Sequence, residues 1–340
     1  MIRTGCFMSK YAFVASACPK YIPEITALLN SLHAIGNKHD FFLIGYKLPK
    51  ELTSQFEKLC FKVTHYDIPE EEARQFGGES EILCRKRFWY AAEWGKDYEA
   101  VCVLDADMVA VRNMDNFFEI AAKTDQILGV TLEQKTTYGT DEDSHFHQRV
   151  LGEHLVKERI WNTKDMCCTP MFINAKTYEL QLKKAWDIFT WGYPETNFKA
   201  PDQQAFNMIL VAEGLTDKVT LLPNMCWVAS NEKLLKFYTR VTVQNDGNLW
   251  TESGEPIFIF HGQYFKKKWR DQQLLNRHGC ALGHLGVADR ADEMAKGAMN
   301  CLYERFKMAL DGVIKIDATK AYCNDGHPDY TLAEKGENPV

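Results

Sequence analysis

Two aspartates separated by one alanine, Asp105-Ala106-Asp107, close a short apolar run, Val101 to Leu104. Side chains two apart on extended backbone share a side, so both carboxylates can converge on one point while Ala106 keeps bulk away. Two carboxylates that close repel each other unless a cation lies between them. Their oxygens suit hard divalent ions such as magnesium or manganese, which commonly take a substrate's phosphates as further ligands. Taken alone, so short a motif recurs by chance and reads more often as a solvated turn or a helix cap.

The elements that must position this pair follow from pattern. Val101 to Leu104 is rich in β-branched residues and reads as a strand buried on both faces of a mostly parallel sheet. Tyr11 to Ala17 reads as a first strand and Cys18-Pro19-Lys20 as a turn. Ile22, Ile25, Leu28, Leu29, Leu32 and Ile35 then recur at helical spacing, with Gly36 as the stop. Asp40 to Gly45 is a second strand, Glu51 to Leu59 a helix and Phe61 to Tyr66 a third strand. Strands alternating with helices predict a Rossmann-like, doubly wound sheet, whose ligands bind off the carboxyl ends of the strands. Ala17, Tyr21 and the aspartate pair all emerge there. Neither GxGxxG nor GxxxxGK[ST] follows the first strand, which argues against a dinucleotide oxidoreductase or a P-loop kinase.

Composition sets the remaining bounds. The 340 residues carry a formal charge of -6 with pI near 6.0, which disfavours nucleic acid or an anionic membrane as partner. No apolar run approaches a bilayer span, and the start at Met1 is too broken for a signal peptide, so a soluble, cytoplasmic protein is expected. The 11 cysteines are scattered without a CxxC pair and read as buried thiols. With no linker-like stretch, residues 1–275 are expected to form one catalytic domain and 276–340 a helical C-terminal appendage and tail. Glu133 to Asp165 is a polar, His-rich insertion, a natural lid or acceptor site, in which His145 and His147 read as solvated. Asn245-Asp246-Gly247-Asn248 between VTV and LW predicts a hairpin.

Four blocks carry a resemblance to family 8 glycosyltransferases, the group that includes glycogenin, galactinol synthase and bacterial galactosyl- and glucosyltransferases. They are ASACPKYIPEITALLNSLHAIGNKHDFFLIG, then CRKRFWYAAEWGKDYEAVCVLDADMVAVRNMDNFF, then PDQQAFN (Pro201 to Asn207), then HGQYFKKKW (His261 to Trp269). They occur in the family's order over roughly residues 10 to 270, and together they reverse the odds for Asp105 and Asp107.

The resemblance implies a GT-A type fold and a metal-dependent, retaining transfer of a hexose from a UDP-sugar to a carbohydrate or other hydroxyl acceptor. It implies Mn2+ or Mg2+ held by Asp105, Asp107 and His261. It implies donor contacts from Ala15, Ala17, Tyr21, Arg85, Ala106, Gly262 and Lys267, with Tyr21 on the uracil ring and Lys267 also stabilising the departing diphosphate. Lys266 or Lys268 could take the place of Lys267, because this block departs from the family's glycine and proline spacing. Asp202 and Gln203 fall where family members face the transferred sugar; a neutral amide is a poor nucleophile, which favours same-face transfer. Asp202 reads equally as the N-cap of a helix from Gln203 to Val211. Where the family has Asn-Ala-Gly, this chain has Cys168-Thr169-Pro170 before a strand at Met171 to Asn174. Sugar preference and catalytic competence are therefore open. A self-glucosylating primer, a non-catalytic nucleotide-sugar binder and a magnesium-dependent phosphotransferase are the rival readings. A homodimer is compatible with the sequence.

Overall fold

The computed structural model describes residues 9–74, 86–131, 166–192, 201–222, 226–228, 241–243, 249–251, 254–261 and 303–316. Its first half alternates strand and helix as the pattern predicts. β1 (Tyr11–Ala17) leads into α1 (Ile22–Ala34), β2 (Asp40–Gly45), α2 (Lys50–Thr53), β3 (Val63–Asp67) and α3 (Glu70–Arg74). After α4 (Arg87–Gly95) come β4 (Ala100–Val103), β5 (Met108–Ala110), α5 (Asp115–Lys123) and β6 (Ile127–Thr131). β7 (Met166–Ile173), α6 (Glu179–Gly192), α7 (Pro201–Ala212) and β8 (Val219–Leu221) complete the main body.

Seven strands form one sheet in the order β3-β2-β1-β4-β7-β6-β8. β3, β2, β1 and β4 run parallel, and only β7 is reversed. Successive strands step outward from β1 to β3, and the chain then returns to the other side of β1 as β4. The carboxyl ends of β1 and β4 therefore flank the point where the order reverses, the place where such sheets bind ligands.

Alternation along each strand divides the core into two layers. Phe13, Ala15, Ala17, Cys102 and Leu104 face the layer under α1 and α5. Ala12, Val14, Val101 and Val103 face the layer under α4, α6 and α7. Each fully buried Leu or Phe in these layers contributes about 1.5–3 kcal/mol of transfer free energy. Gly36, with φ 72, ends α1 in the left-handed conformation that glycine takes without strain.

A smaller sheet stands beside the first: β5, then β12 (Ile259–His261), then β9 (Cys226–Val228). β10 (Val241–Val243) and β11 (Leu249–Thr251) pair antiparallel, as the hairpin pattern predicts; the turn between them lies outside the described residues. A last helix, α8, spans residues 303–310 and is tied to α1 through Asn30, whose Nδ2 donates to Ala309 O at 2.7 Å and Ile314 O at 2.9 Å. Among the described residues no helix is long and apolar enough to cross a membrane.

Three local expectations differ from the fold. The helix expected over Glu51 to Leu59 is broken into α2 and a 3-10 turn, Phe56–Lys58. The break falls at Gln55, whose side-chain Nε2 donates to Glu51 O at 2.7 Å, the acceptor its own backbone N–H would use in a continuous helix, while that N–H turns to Leu52 O. The strand expected from Met171 begins at Met166, since β6 pairs with its early residues, Val130 with Cys167 and Thr131 with Met166. Asp202 is not an N-cap: α7 starts at Pro201, and the Asp202 carboxylate turns to a guanidinium instead. The predicted helix near Glu153 to Trp161 and the polar insertion around it lie outside the described residues, as do His145 and His147.

Candidate active site

Asp105 and Asp107 occupy the turn between β4 and β5, at the reversal point of the sheet. The chain leaves the main sheet there, and β5 pairs antiparallel with β12, Val109 with Phe260 and Met108 with His261. That register delivers a histidine far along the chain to the side of Asp107. His261 Nε2 lies 3.2 Å from Asp107 Oδ1 and 3.3 Å from Asp105 Oδ2. One ligand atom from each of the three residues lies within 4.8 Å of the other two, a donor set of two oxygens and one nitrogen. Such a donor set could hold a divalent ion in the manner of a DxD-type acidic site.

A second set of contacts holds Asp105 from behind. Arg87, the first residue of α4, gives Nη1 to Asp105 Oδ1 and Nη2 to Asp202 Oδ2, the latter at 2.7 Å. A cation at a helix N-terminus opposes the dipole, so this position is tenable because two carboxylates meet it. The Thr169 hydroxyl donates to Asp105 Oδ2 at 2.6 Å. α7 is fastened to β7 by Asn207, whose Nδ2 donates to Met166 O at 2.9 Å and to Gln203 O at 3.1 Å, and this fixes the first turn that carries Asp202.

Electrostatics follow from this arrangement. Burial alone would raise the Asp105 carboxyl, but Arg87 and then His261 outweigh it and hold Asp105 below the ordinary carboxylate value. Burial would lower His261, and the Asp107 and Asp105 carboxylates instead raise it well above the usual imidazole value. Burial works against the Arg87 charge too, and Asp105 and Asp202 overcome it. His261 Nδ1 and Arg87 Nε are buried without a hydrogen-bond partner.

The structure places the other expected residues as follows. Ala15 and Ala17 are fully buried in the layer beneath α1. Tyr21 is half-buried at the end of the 3-10 turn Pro19–Tyr21. Ala106 is buried between the two acids. Asp202 is buried on α7, and Gln203 follows it half-buried. Arg85, Gly262 and Lys267, with Lys266 and Lys268, lie outside the described residues.

Two residues at the site were not singled out from sequence. From sequence, Arg85, Lys86 and Arg87 read equally as a donor-phosphate patch or as a solvated helix face; Ala91, four places on from Arg87 and fully buried, marks the face of Arg87 as an inner one. Thr169 was part of an unexplained departure. The β4–β7 register pairs Val101 with Ile173, Cys102 with Phe172 and Val103 with Met171; carried two places further it sets Thr169 across from Asp105. No sequence signal reveals that pairing.

Comparison with known proteins gives a fold. No protein-family model and no curated protein matches the sequence. Among solved structures, the chain is similar to the apo form of the bifunctional glycosyltransferase WbbM, at TM-score 0.50 and 13% identity over 68% of this chain and 42% of that one. The chain thus spans less than half the length of that protein. A galactosyltransferase, LgtC, in complex with donor and acceptor sugar analogs aligns at TM-score 0.49 and 11% identity over 88% of this chain and 94% of that one. The apo glycosyltransferase GlyE of Streptococcus pneumoniae TIGR4 aligns at TM-score 0.41 and 14% identity over 63% of this chain and 45% of that one. The likeness to WbbM is one of fold: a mixed α/β body around a mostly parallel sheet.

Proposed function

We propose that this chain is a metal-dependent, retaining glycosyltransferase that moves a hexose from a UDP-sugar to a hydroxyl acceptor. The observation that carries the reading is the convergence of Asp105, Asp107 and His261 at the reversal point of the sheet, in a fold shared with a glycosyltransferase. Two carboxylate oxygens and an imidazole nitrogen suit Mn2+, and the oxygens suit Mg2+. A divalent cation bound there would supply positive charge toward the diphosphate that leaves the sugar.

This chain's own residues do the rest. Arg87 holds Asp105 and Asp202 in fixed orientation, so the negative face of the site is built before any donor arrives. With its carboxylate gripped by Arg87, Asp202 is a poor nucleophile, and the Gln203 amide is neutral. Transfer from one face of the sugar therefore fits better than a covalent sugar-enzyme stage. The bond from the anomeric carbon to the diphosphate oxygen breaks, the acceptor oxygen bonds that carbon from the same side, and its proton passes to the departing diphosphate. Gln203 is assigned to position and shield the sugar. Arg85, Gly262, Lys267, Tyr21, Ala15 and Ala17 keep the donor-side roles that the family resemblance gives them.

UDP release from a panel of UDP-hexoses, with and without Mn2+, tests this reading. The expected result is turnover with one donor that depends on the ion and falls about 100- to 1,000-fold in Asp107→Ala. Absence of UDP release from every donor, together with no sugar-nucleotide shift in melting temperature, would remove it.

A further inference from the structure

Every residue of β7 is buried, so its one hydroxyl side chain needs an acceptor inside the protein. The neighbouring thiols satisfy themselves on backbone: Cys167 Sγ donates to Thr169 O at 3.0 Å and Cys168 Sγ to Met166 O at 3.6 Å. Thr169 instead reaches across to the tip of β4. Its Oγ1 lies 2.6 Å from Asp105 Oδ2, the oxygen that stands 3.3 Å from His261 Nε2.

We propose that Thr169 is a positioning residue that aims Asp105 Oδ2 at the divalent-cation position. Arg87 takes the other oxygen, so the two contacts together stop the carboxylate from rotating about its last bond. Without the hydroxyl, Oδ2 is free to swing toward Arg87 and leave Asp107 and His261 as the remaining ligands. A partner that orients a metal-binding carboxylate commonly matters 10- to 100-fold in metal affinity. The inference rests on the reading of Asp105, Asp107 and His261 as a cation site.

The test measures Mn2+ affinity directly on the full chain, without sugar nucleotide, by following free Mn2+ in an electron paramagnetic resonance titration. Thr169→Val removes the hydroxyl at nearly constant volume and is expected to weaken binding about 10-fold or more, with Thr169→Ser returning it to within about threefold of wild type. Thr169→Ala loses the same hydroxyl without adding bulk and serves if the valine variant fails to fold, as judged by circular dichroism. Wild-type affinity in Thr169→Val or Thr169→Ala, while Asp105→Ala loses binding, overturns the role of Thr169 and leaves the cation site standing. A wild-type chain that binds neither Mn2+ nor Mg2+ overturns the cation reading itself, and this inference with it.

Discussion

Lys86 and Arg87 are neighbours at the start of α4, both largely buried against carboxylates, yet they build opposite environments. Lys86 Nζ meets Glu72 Oε1 at 2.7 Å and lies over the rings of Trp89 at 4.7 Å, Tyr90 at 5.4 Å and Trp186 at 5.6 Å. The Tyr90 hydroxyl donates to the same carboxylate at 3.2 Å; burial first, then Tyr66 and Glu72, push that phenol up, so it stays a donor. One positive charge there meets one negative charge, and polarisable ring faces surround the pair. Among the described residues, the cluster around Arg87 sets three carboxylates, Asp105, Asp107 and Asp202, against one guanidinium and the His261 imidazole. The first cluster is balanced and closed; the second carries surplus negative charge in a buried place. A balanced cluster holds a helix where it is, and a surplus calls for a further cation.

Removing Arg87 should give the largest effect of all. Arg87→Met takes the guanidinium from two buried carboxylates, Asp105 and Asp202, and breaking a buried pair in this way costs about 3–5 kcal/mol. The expected readout is a fall in the urea midpoint without a change in slope, together with loss of UDP release. Asp202→Asn placed on that background should recover part of the stability, because it deletes one of the stranded charges. If Arg87→Met unfolds at the wild-type midpoint, the surplus charge is not buried and the contrast with Lys86 disappears.

Lys86→Met sharpens the same contrast from the other side. Methionine fills the space between the rings and keeps a favourable sulfur contact, while Glu72 still receives Tyr90. The expected loss is about 1–2 kcal/mol in urea denaturation. Mn2+ affinity should stay within about twofold of wild type, since Lys86 touches none of the three cation-site residues. A collapse of Mn2+ binding in this variant would show that the two clusters act as one unit.

The same division explains how much was legible in the chain. The strands β1, β2 and β4, the helix α1 and the pair Asp105 and Asp107 follow from local patterns, because alternation, helical spacing and a strand-end acidic pair are all written within a few residues. His261 came from matching a distant block, and the β5–β12 register supplies the physical reason it arrives beside Asp107. Arg87 was not separated from Arg85 because three consecutive basic residues read equally as a phosphate patch or a solvated face until the burial of Ala91 is known. Thr169 was out of reach, since its role exists only through the reversed strand β7 lying against β4. Local signals record which residues can do chemistry, and non-local pairing decides which of them meet.

The smallest expected effect lies at the far edge of the sheet, in a ring with one buried nitrogen that makes no hydrogen bond. His65 on β3 has its Nε2 buried without a hydrogen bond, and its ring meets Phe56 edge-on at 6.2 Å. A Cβ on Gly45 would come within 2.3 Å of that nitrogen, so the ring packs directly against the backbone of the neighbouring strand. Burial lowers the His65 pKa below the ordinary 6.5, and Asp67 opposes this without overcoming it. The unfolded chain therefore takes up the proton first as pH falls. The stability from this neutral ring is fully present above about pH 6.5 and is lost as pH drops through the lower folded value. Urea midpoints measured from pH 7.5 down to pH 5 should fall more steeply in the wild type than in His65→Gln, which cannot titrate. At the strand tips buried charges meet counter-charges and gain from ionisation, whereas this ring is stable only while uncharged. Equal slopes in the two proteins would mean that water reaches the His65 ring and that the edge of the sheet is not the dry counterpart of the charged site.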